Sequence, residues 1–209
     1  MADIRILCML GGVYHPFEEA ERFFGDRLSN AGCDLRFSYD PEDLRVAQRE
    51  DVDLVILYTC FSDYELTEDL AESLAAFVSE GGGLLALHGA TSSFRTNRAY
   101  HALIGATFVE HGPRHNFVVM PMQWRHPVTQ GIEAFTVNDE LYLQEFEVDK
   151  DIDIQMAAVY FNRVQPVVWT REHGAGRLCY IALGHDEAVW AQPEVWHLIL
   201  NSIAWCGQR

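Results

Sequence analysis

Histidine is the side chain best suited to moving protons near neutral pH, and beside a carboxylate it is suited either to that task or to holding a divalent cation. The chain has nine histidines. Three of them stand where an apolar run gives way to a turn: His15 in Tyr14-His15-Pro16, His88 in Leu87-His88-Gly89 and His185 in Gly184-His185-Asp186. Residues 111–145 add His111, Arg114, His115, His126, Asn138-Asp139-Glu140 and Glu145. Asp139 and Glu140 near imidazoles suit general acid–base chemistry; taken alone they read as a solvated acidic turn. His111 and His115 have the i, i+4 spacing of helical metal ligands, but Gly112-Pro113 between them forbids a regular helix. Cys60 reads as a small buried apolar residue, because no neighbouring charge lowers its pKa.

Several familiar chemistries are missing. Gly11-Gly12 is no dinucleotide fingerprint, and Gly81-Gly82-Gly83 lacks the Gly-Lys-Ser/Thr of a P-loop. No Gly-x-Ser-x-Gly elbow is present, which argues against an ordinary serine hydrolase. The five cysteines are scattered, with no Cys-x-x-Cys pair, so neither a zinc knuckle nor a disulfide framework is expected. A reducing cytoplasm is the expected location.

The elements that must position these residues alternate in the first half of the chain. Ile4–Leu10, Leu35–Tyr39, Asp53–Tyr58 and Leu84–Leu87 are short apolar runs that read as buried parallel strands. Phe17–Ala31, Leu66–Val78 and Phe94–Ile104 carry helical spacing and end at glycines or just before them. The second half reads as strands at Phe117–Met120, Phe135–Val137, Ile154–Val159, Val167–Trp169 and Leu178–Leu183, then a closing helix from about Glu194 to Cys206. The expectation is one α/β domain with a doubly wound, mostly parallel central sheet, and segment 111–170 extending or covering one edge. In such sheets ligands bind outside the carboxyl ends of the strands, which is where Tyr14, His15, Cys60, His88 and His185 fall.

Composition bounds the partners. The 209 residues are 49% hydrophobic and 22% charged, as expected of a single globular domain. With 15 Lys and Arg against 31 Asp and Glu, the formal net charge of −16 disfavours nucleic acid and anionic membrane surfaces. No apolar run is long enough for a membrane span, and Met1-Ala2-Asp3-Ile4-Arg5 lacks the layout of a signal peptide. A homo-oligomer is expected from apolar surface on the closing helix and the mixed segment.

The sequence resembles the ThuA-like (trehalose-utilisation) family, which shares the class I glutamine-amidotransferase-like, flavodoxin-like fold. The resemblance rests on Tyr14-His15, on Gly82 to Gly89 (GGLLALHG), on His126-Pro127-Val128-Thr129-Gln130-Gly131-Ile132 and on Asp139-Glu140-Leu141-Tyr142 with Glu145-Phe146. Gly174-Ala175-Gly176-Arg177, Tyr180, Leu183-Gly184-His185-Asp186 and Asn201-Ser202-Ile203-Ala204-Trp205 complete it. True amidotransferases carry a nucleophilic cysteine at the strand-to-helix elbow. Here that elbow reads Leu87-His88-Gly89-Ala90, and an imidazole does not replace a thiolate that must form an acyl intermediate. Glutaminase activity is therefore not expected.

The resemblance implies disaccharide catabolism alongside dehydrogenases that make keto-sugars, and so a small-molecule sugar substrate. It implies a cleft lined by His15, His88, Asp139, Glu140 and His185. His88, His185, Asp139 and Glu140 are the expected catalytic residues, and Tyr14, His15, His115 and Tyr142 the expected substrate contacts. Should the cleft take a divalent metal, zinc being the candidate, His88 and His185 are its expected ligands. Tyr14, Tyr142, Trp169 and Trp190 are candidates for stacking on pyranose faces. Acid–base or metal-assisted isomerisation or cleavage of a keto-sugar fits this set. The competing class is a non-catalytic sugar-binding or regulatory protein on the same fold.

Overall fold

A computed structural model describes residues 4–47, 49–61, 66–147 and 151–208. The first three residues, on which part of the signal-peptide reading rests, lie outside the described residues. The first half alternates as expected: β1 (Arg5–Gly12), α1 (Phe17–Asn30), β2 (Asp34–Ser38), β3 (Leu54–Cys60), α2 (Glu68–Ser79) and β4 (Gly83–Leu87). A 3-10 turn over His88–Ser92 follows, then α3 (Arg98–Ile104) and β5 (Ala106–His111). The second half comprises β6 (His115–Pro121), β7 (Phe135–Asp139), β8 (Tyr142–Phe146), β9 (Asp153–Tyr160), β10 (Arg163–His173), β11 (Gly176–Ile181), α4 (Glu187–Trp190) and α5 (Pro193–Cys206).

Nine strands form one sheet in the order β2-β1-β3-β4-β11-β10-β9-β6-β7. The first five are parallel to one another. The remaining four continue the sheet antiparallel. The mixed segment thus extends one edge of the parallel sheet. Strands β3 and β4 are buried at every residue, which is why they read as unbroken apolar runs and not as alternating ones. From β1 the chain steps outward to β2 and then back past β1 to β3. Right-handed crossovers on either side of that reversal place α1 and α2 on opposite faces and open a crevice at the carboxyl ends of β1 and β3. On one face, Phe23 and Phe24 of α1 pack against Trp190 of α4 and Trp196 of α5. On the other face α2 packs against α3.

Two expectations need correction. The third helix starts at Arg98 and not at Phe94: Phe94 has φ +52°, and the Asn97 side chain caps the helix by accepting from the Tyr100 amide at 2.8 Å. The sequence reading also has no counterpart for β5 and β8, which pair antiparallel as a separate two-stranded sheet. Such a ribbon is stabilised by its cross-strand pairs and by what it lies on, neither of which a local pattern reveals.

Candidate functional site

The site is assembled from four loops, each following a strand. Its centre is the turn after β4. His88 has φ +42°, a left-handed conformation unusual outside glycine, and its ring is wholly buried. The kink turns the side chain into the crevice. Gly89 then lets the chains close up, since a Cβ there would stand 2.7 Å from the Thr59 carbonyl oxygen and 3.1 Å from the His15 ring. The turn is held from below by Tyr180 on β11, whose hydroxyl donates to the His88 carbonyl at 2.7 Å. The same hydroxyl lies 3.0 Å from Thr91 Oγ1 and accepts from Gln144 Nε2 at 3.1 Å.

His15 and His185 meet His88 at this point. The ring centroids are 4.9 Å apart for His15–His88, 5.2 Å for His15–His185 and 5.6 Å for His88–His185. Glu140 completes the cluster. Its Oε2 stands 3.2 Å from His185 Nδ1, 3.7 Å from His88 Nε2 and 3.6 Å from His111 Nε2. The four side chains His15, His88, Glu140 and His185 each bring one donor atom within 4.8 Å of the others.

Asp139 is the anchor of this arrangement. It is fully buried, and its Oδ1 and Oδ2 accept from the amides of Glu140 and Gly184, both at 2.8 Å. One carboxylate therefore ties the loop carrying Glu140 to the loop carrying His185. Seen in three dimensions, Asp139 is no solvated turn residue. Both of its oxygens are committed to backbone, so it positions the cluster without entering it. Arg114 supports the same two loops from outside, pairing with Asp186 and donating from Nε to the Asn138 carbonyl at 3.0 Å. Trp190 Nε1 donates to the Gly184 carbonyl at 2.7 Å.

Electrostatics follow from the packing. Burial opposes ionisation of Glu140, but the imidazoles of His88, His185 and His111 outweigh it and hold the carboxyl down to about 2. Glu140 is a carboxylate throughout the neutral range. Burial, reinforced by the neighbouring His88 and His185, pulls His15 down to about 3, so its ring is neutral. Burial pushes the Asp139 carboxyl up, against the two amides that favour its charge. Cys60 faces the same crevice, yet burial raises its thiol and its Sγ rests 3.2 Å from Ser92 Oγ. It is no thiolate nucleophile.

His15, Glu140 and His185 of this cluster line a cavity of about 430 Å³, whose other walls include Tyr14, Arg95, Phe108, His111 and Tyr142, while His88 lies buried behind it. Tyr14 is exposed, with φ +72°, at the rim. Tyr142 is buried. Its ring lies 4.3 Å from that of His88 on one side and is stacked on His111 at 5.4 Å. The remaining candidates fall elsewhere. His115 bonds through Nδ1 to the Pro113 carbonyl at 2.9 Å and packs against Phe117 and Tyr160, outside the cavity. Gly112 and Pro113 form the turn between β5 and β6, so His111 and His115 belong to different sheets and do not act as a pair. Trp169 and Trp190 are core residues with no exposed surface and present no stacking face. Arg95, Phe108 and His111 also line the cavity, although the sequence does not mark them as a group: Phe108 and His111 are on β5 and Tyr142 on β8, strands with no local signature, and Arg95 enters from the segment before α3.

The sequence matches the ThuA family, described as trehalose utilisation, over residues 5–206. The chain belongs to the ThuA family. Solved structures agree in fold. A ThuA-like protein from Parabacteroides merdae is 20% identical with a TM-score of 0.81, the match covering 98% of this chain and 90% of that one. One from Bacteroides uniformis is 18% identical at 0.78, covering 97% and 91%. The β-galactosidase of Bacillus circulans contains the same fold within a longer chain, at 14% identity and 0.64, covering 95% of this chain and 30% of that one. No curated protein matches the sequence.

Proposed function

We propose that this ThuA-family chain is a cytoplasmic enzyme of disaccharide breakdown that moves a proton on a keto-sugar or related glycoside, leading to isomerisation or cleavage. The observation that carries this reading is one ionised carboxylate, Glu140, flanked by imidazoles at the floor of a cavity with aromatic walls. A cavity of about 430 Å³ lies within the range of roughly 300–1,000 Å³ usual for small-molecule sites. The exposed ring of Tyr14 at the rim suits the apolar face of a sugar, and the imidazoles and carboxylate that line the cavity suit its hydroxyl and carbonyl groups. Among the described residues, no helix is long and apolar enough to cross a membrane. Cys8, Cys60, Cys179 and Cys206 are buried free thiols, which accords with a reducing compartment.

A ketone acidifies the hydrogens on its neighbouring carbons, so an imidazole base can remove one. His111 and His185 are the imidazoles that reach the cavity with Glu140 between them. The Glu140 carboxylate favours the imidazolium formed when either ring takes the proton. Isomerisation returns that proton to a different carbon. Cleavage of a 3-keto-glycoside instead breaks C2–H and C1–O, forms C1=C2 and delivers the proton to the departing glycosidic oxygen. Both outcomes share the first step.

The test is consumption of 3-keto-disaccharides by the purified protein, followed by chromatography. Wild type is expected to consume at least one, and Glu140→Gln to slow it by about 10²–10⁴-fold while remaining folded. Binding of the sugars without consumption would instead support the sugar-binding or regulatory reading.

A further inference from the structure

Three imidazole nitrogens in the cluster are buried and have no hydrogen-bond partner: Nε2 of His15, Nε2 of His88 and Nδ1 of His185. Buried polar atoms are seldom left this way, and here three point at one place together with a carboxylate oxygen. The other ring nitrogens explain what the lone pairs are doing. His15 Nδ1 bonds the Val13 carbonyl at 3.2 Å and His88 Nδ1 bonds the Ala182 carbonyl at 2.7 Å. A carbonyl accepts only, so each Nδ1 carries a proton, and that bond turns each Nε2 into the cluster. That is how protein imidazoles are prepared to ligate a cation.

We propose that His15, His88, His185 and Glu140 form a binding site for one divalent transition cation of the zinc class. The spacing is near what coordination needs. With ligand bonds of about 2.0–2.2 Å, the edge of a tetrahedron is about 3.3–3.6 Å. Glu140 Oε2 already stands 3.2 Å from His185 Nδ1 and 3.7 Å from His88 Nε2. All four donor atoms lie within 4.8 Å of one another, so rotation of partly exposed side chains closes the shell. Three imidazoles and one carboxylate select a borderline-soft transition ion over magnesium or calcium, which take oxygen donors. His15, His185 and Glu140 also line the cavity, leaving its side of the cation open to a ligand.

The proposal deepens the proton-transfer reading and divides its labour. The three orphan nitrogens and Glu140 would hold the cation, which when bound would supply polarisation of a sugar carbonyl. His111 keeps Nε2 free, because its Nδ1 is held by the Gly112 carbonyl at 2.8 Å, and it remains as the imidazole for proton transfer. It rests on that reading only for what the cation does; binding itself needs no sugar.

The experiment is calorimetric titration of Zn²⁺ alone into chelator-stripped protein, with Co²⁺ absorption as a second readout of the shell. One equivalent is expected, with the melting midpoint rising by about 5–10 °C at a hundredfold excess over Kd. Glu140→Gln and His185→Ala change partly exposed side chains and are expected to keep the fold while weakening Kd roughly tenfold or more. His126→Ala, remote from the cluster, is expected to bind as wild type. Absence of one-equivalent binding to wild type overturns the site, as does unchanged affinity in both cluster variants. Neither result depends on sugar turnover, so a cation site can fail while the sugar reading stands, and the reverse.

Discussion

Replacing Tyr180 with Phe tests how the elbow carrying His88 is held. The Tyr180 hydroxyl donates to the His88 carbonyl at 2.7 Å, accepts from Gln144 Nε2 at 3.1 Å and lies 3.0 Å from Thr91 Oγ1. Because its one proton is spent on His88, the Thr91 hydroxyl must donate to it. Tyr180→Phe removes all three bonds and little volume. Gln144 Nε2 retains Thr91 Oγ1 at 3.1 Å, so the bonds lost without a substitute are the one to the His88 carbonyl and the one from the Thr91 hydroxyl. Losing a buried hydrogen bond whose partner stays buried costs about 1–3 kcal/mol, and a residue strained at φ +42° loses one of its restraints. We expect a loss of about 2–3 kcal/mol in urea unfolding with an unchanged m value, and a melting midpoint about 5–10 °C lower. The His88 ring should become mobile, visible as broadened imidazole signals in NMR. A loss under about 0.5 kcal/mol with an unperturbed His88 signal would refute the claim that this hydroxyl holds the elbow.

Other outcomes follow from the same geometry. In metal-stripped protein, the depressed Glu140 carboxyl stabilises the fold above its ordinary value of 4.5, and that stability is lost as pH falls toward about 2. The melting gap between wild type and Glu140→Gln should therefore be widest near neutrality and close on acidification; a gap that widens in acid would contradict this. His15 is depressed from 6.5 to about 3, so the unfolded chain binds its proton first and stability falls as pH drops through that window. NMR titration of metal-stripped protein should find the His15 ring neutral at pH 5, and an ordinary titration near 6.5 would show that burial does not suppress its charge. Gly12→Ala places a Cβ 2.0 Å from the Cys60 carbonyl at φ +111°, and is expected to abolish folding or cost more than about 3 kcal/mol, read by thermal melting. On the outer face of the antiparallel strands, Val159 lies opposite Val164 with both side chains exposed. A homo-oligomer covering that face would scatter light as at least two copies of 23.8 kDa, and a single-copy mass would refute it.

The parts of the site that sit at the ends of buried parallel strands were legible, because an apolar run ending in a polar residue and glycine marks both the strand and its functional end. His15, His88 and His185 stand at such ends, and the fold brings their rings together. Asp139 was misleading: in Asn138-Asp139-Glu140 it looks like a solvated turn, while in β7 its place in the inward row after Phe135 and Val137 buries it. The alternation was available in the sequence, but the short strand hid it. His111 and Tyr142 could not be placed, since only the pairing of β5 with β8 brings them to the cavity. His115, a substrate contact that the resemblance implies, stands outside the cavity, because the Gly112-Pro113 turn carries it onto β6. Local propensity also carried the third helix too far, to Phe94, because nothing in the residue type announces its positive φ.

The central claim is that the Glu140–imidazole cluster moves a proton next to a sugar ketone. Its most direct test is ¹H NMR of a 3-keto-disaccharide in D₂O, following loss of the hydrogens on the carbons flanking the ketone. That signal reports the shared first step, whatever product forms. Wild type is expected to accelerate exchange over buffer, Glu140→Gln to lose about 10²–10⁴-fold of the enzymatic rate and His115→Ala to retain it. Exchange no faster than buffer, or equally fast in folded Glu140→Gln, would contradict the account.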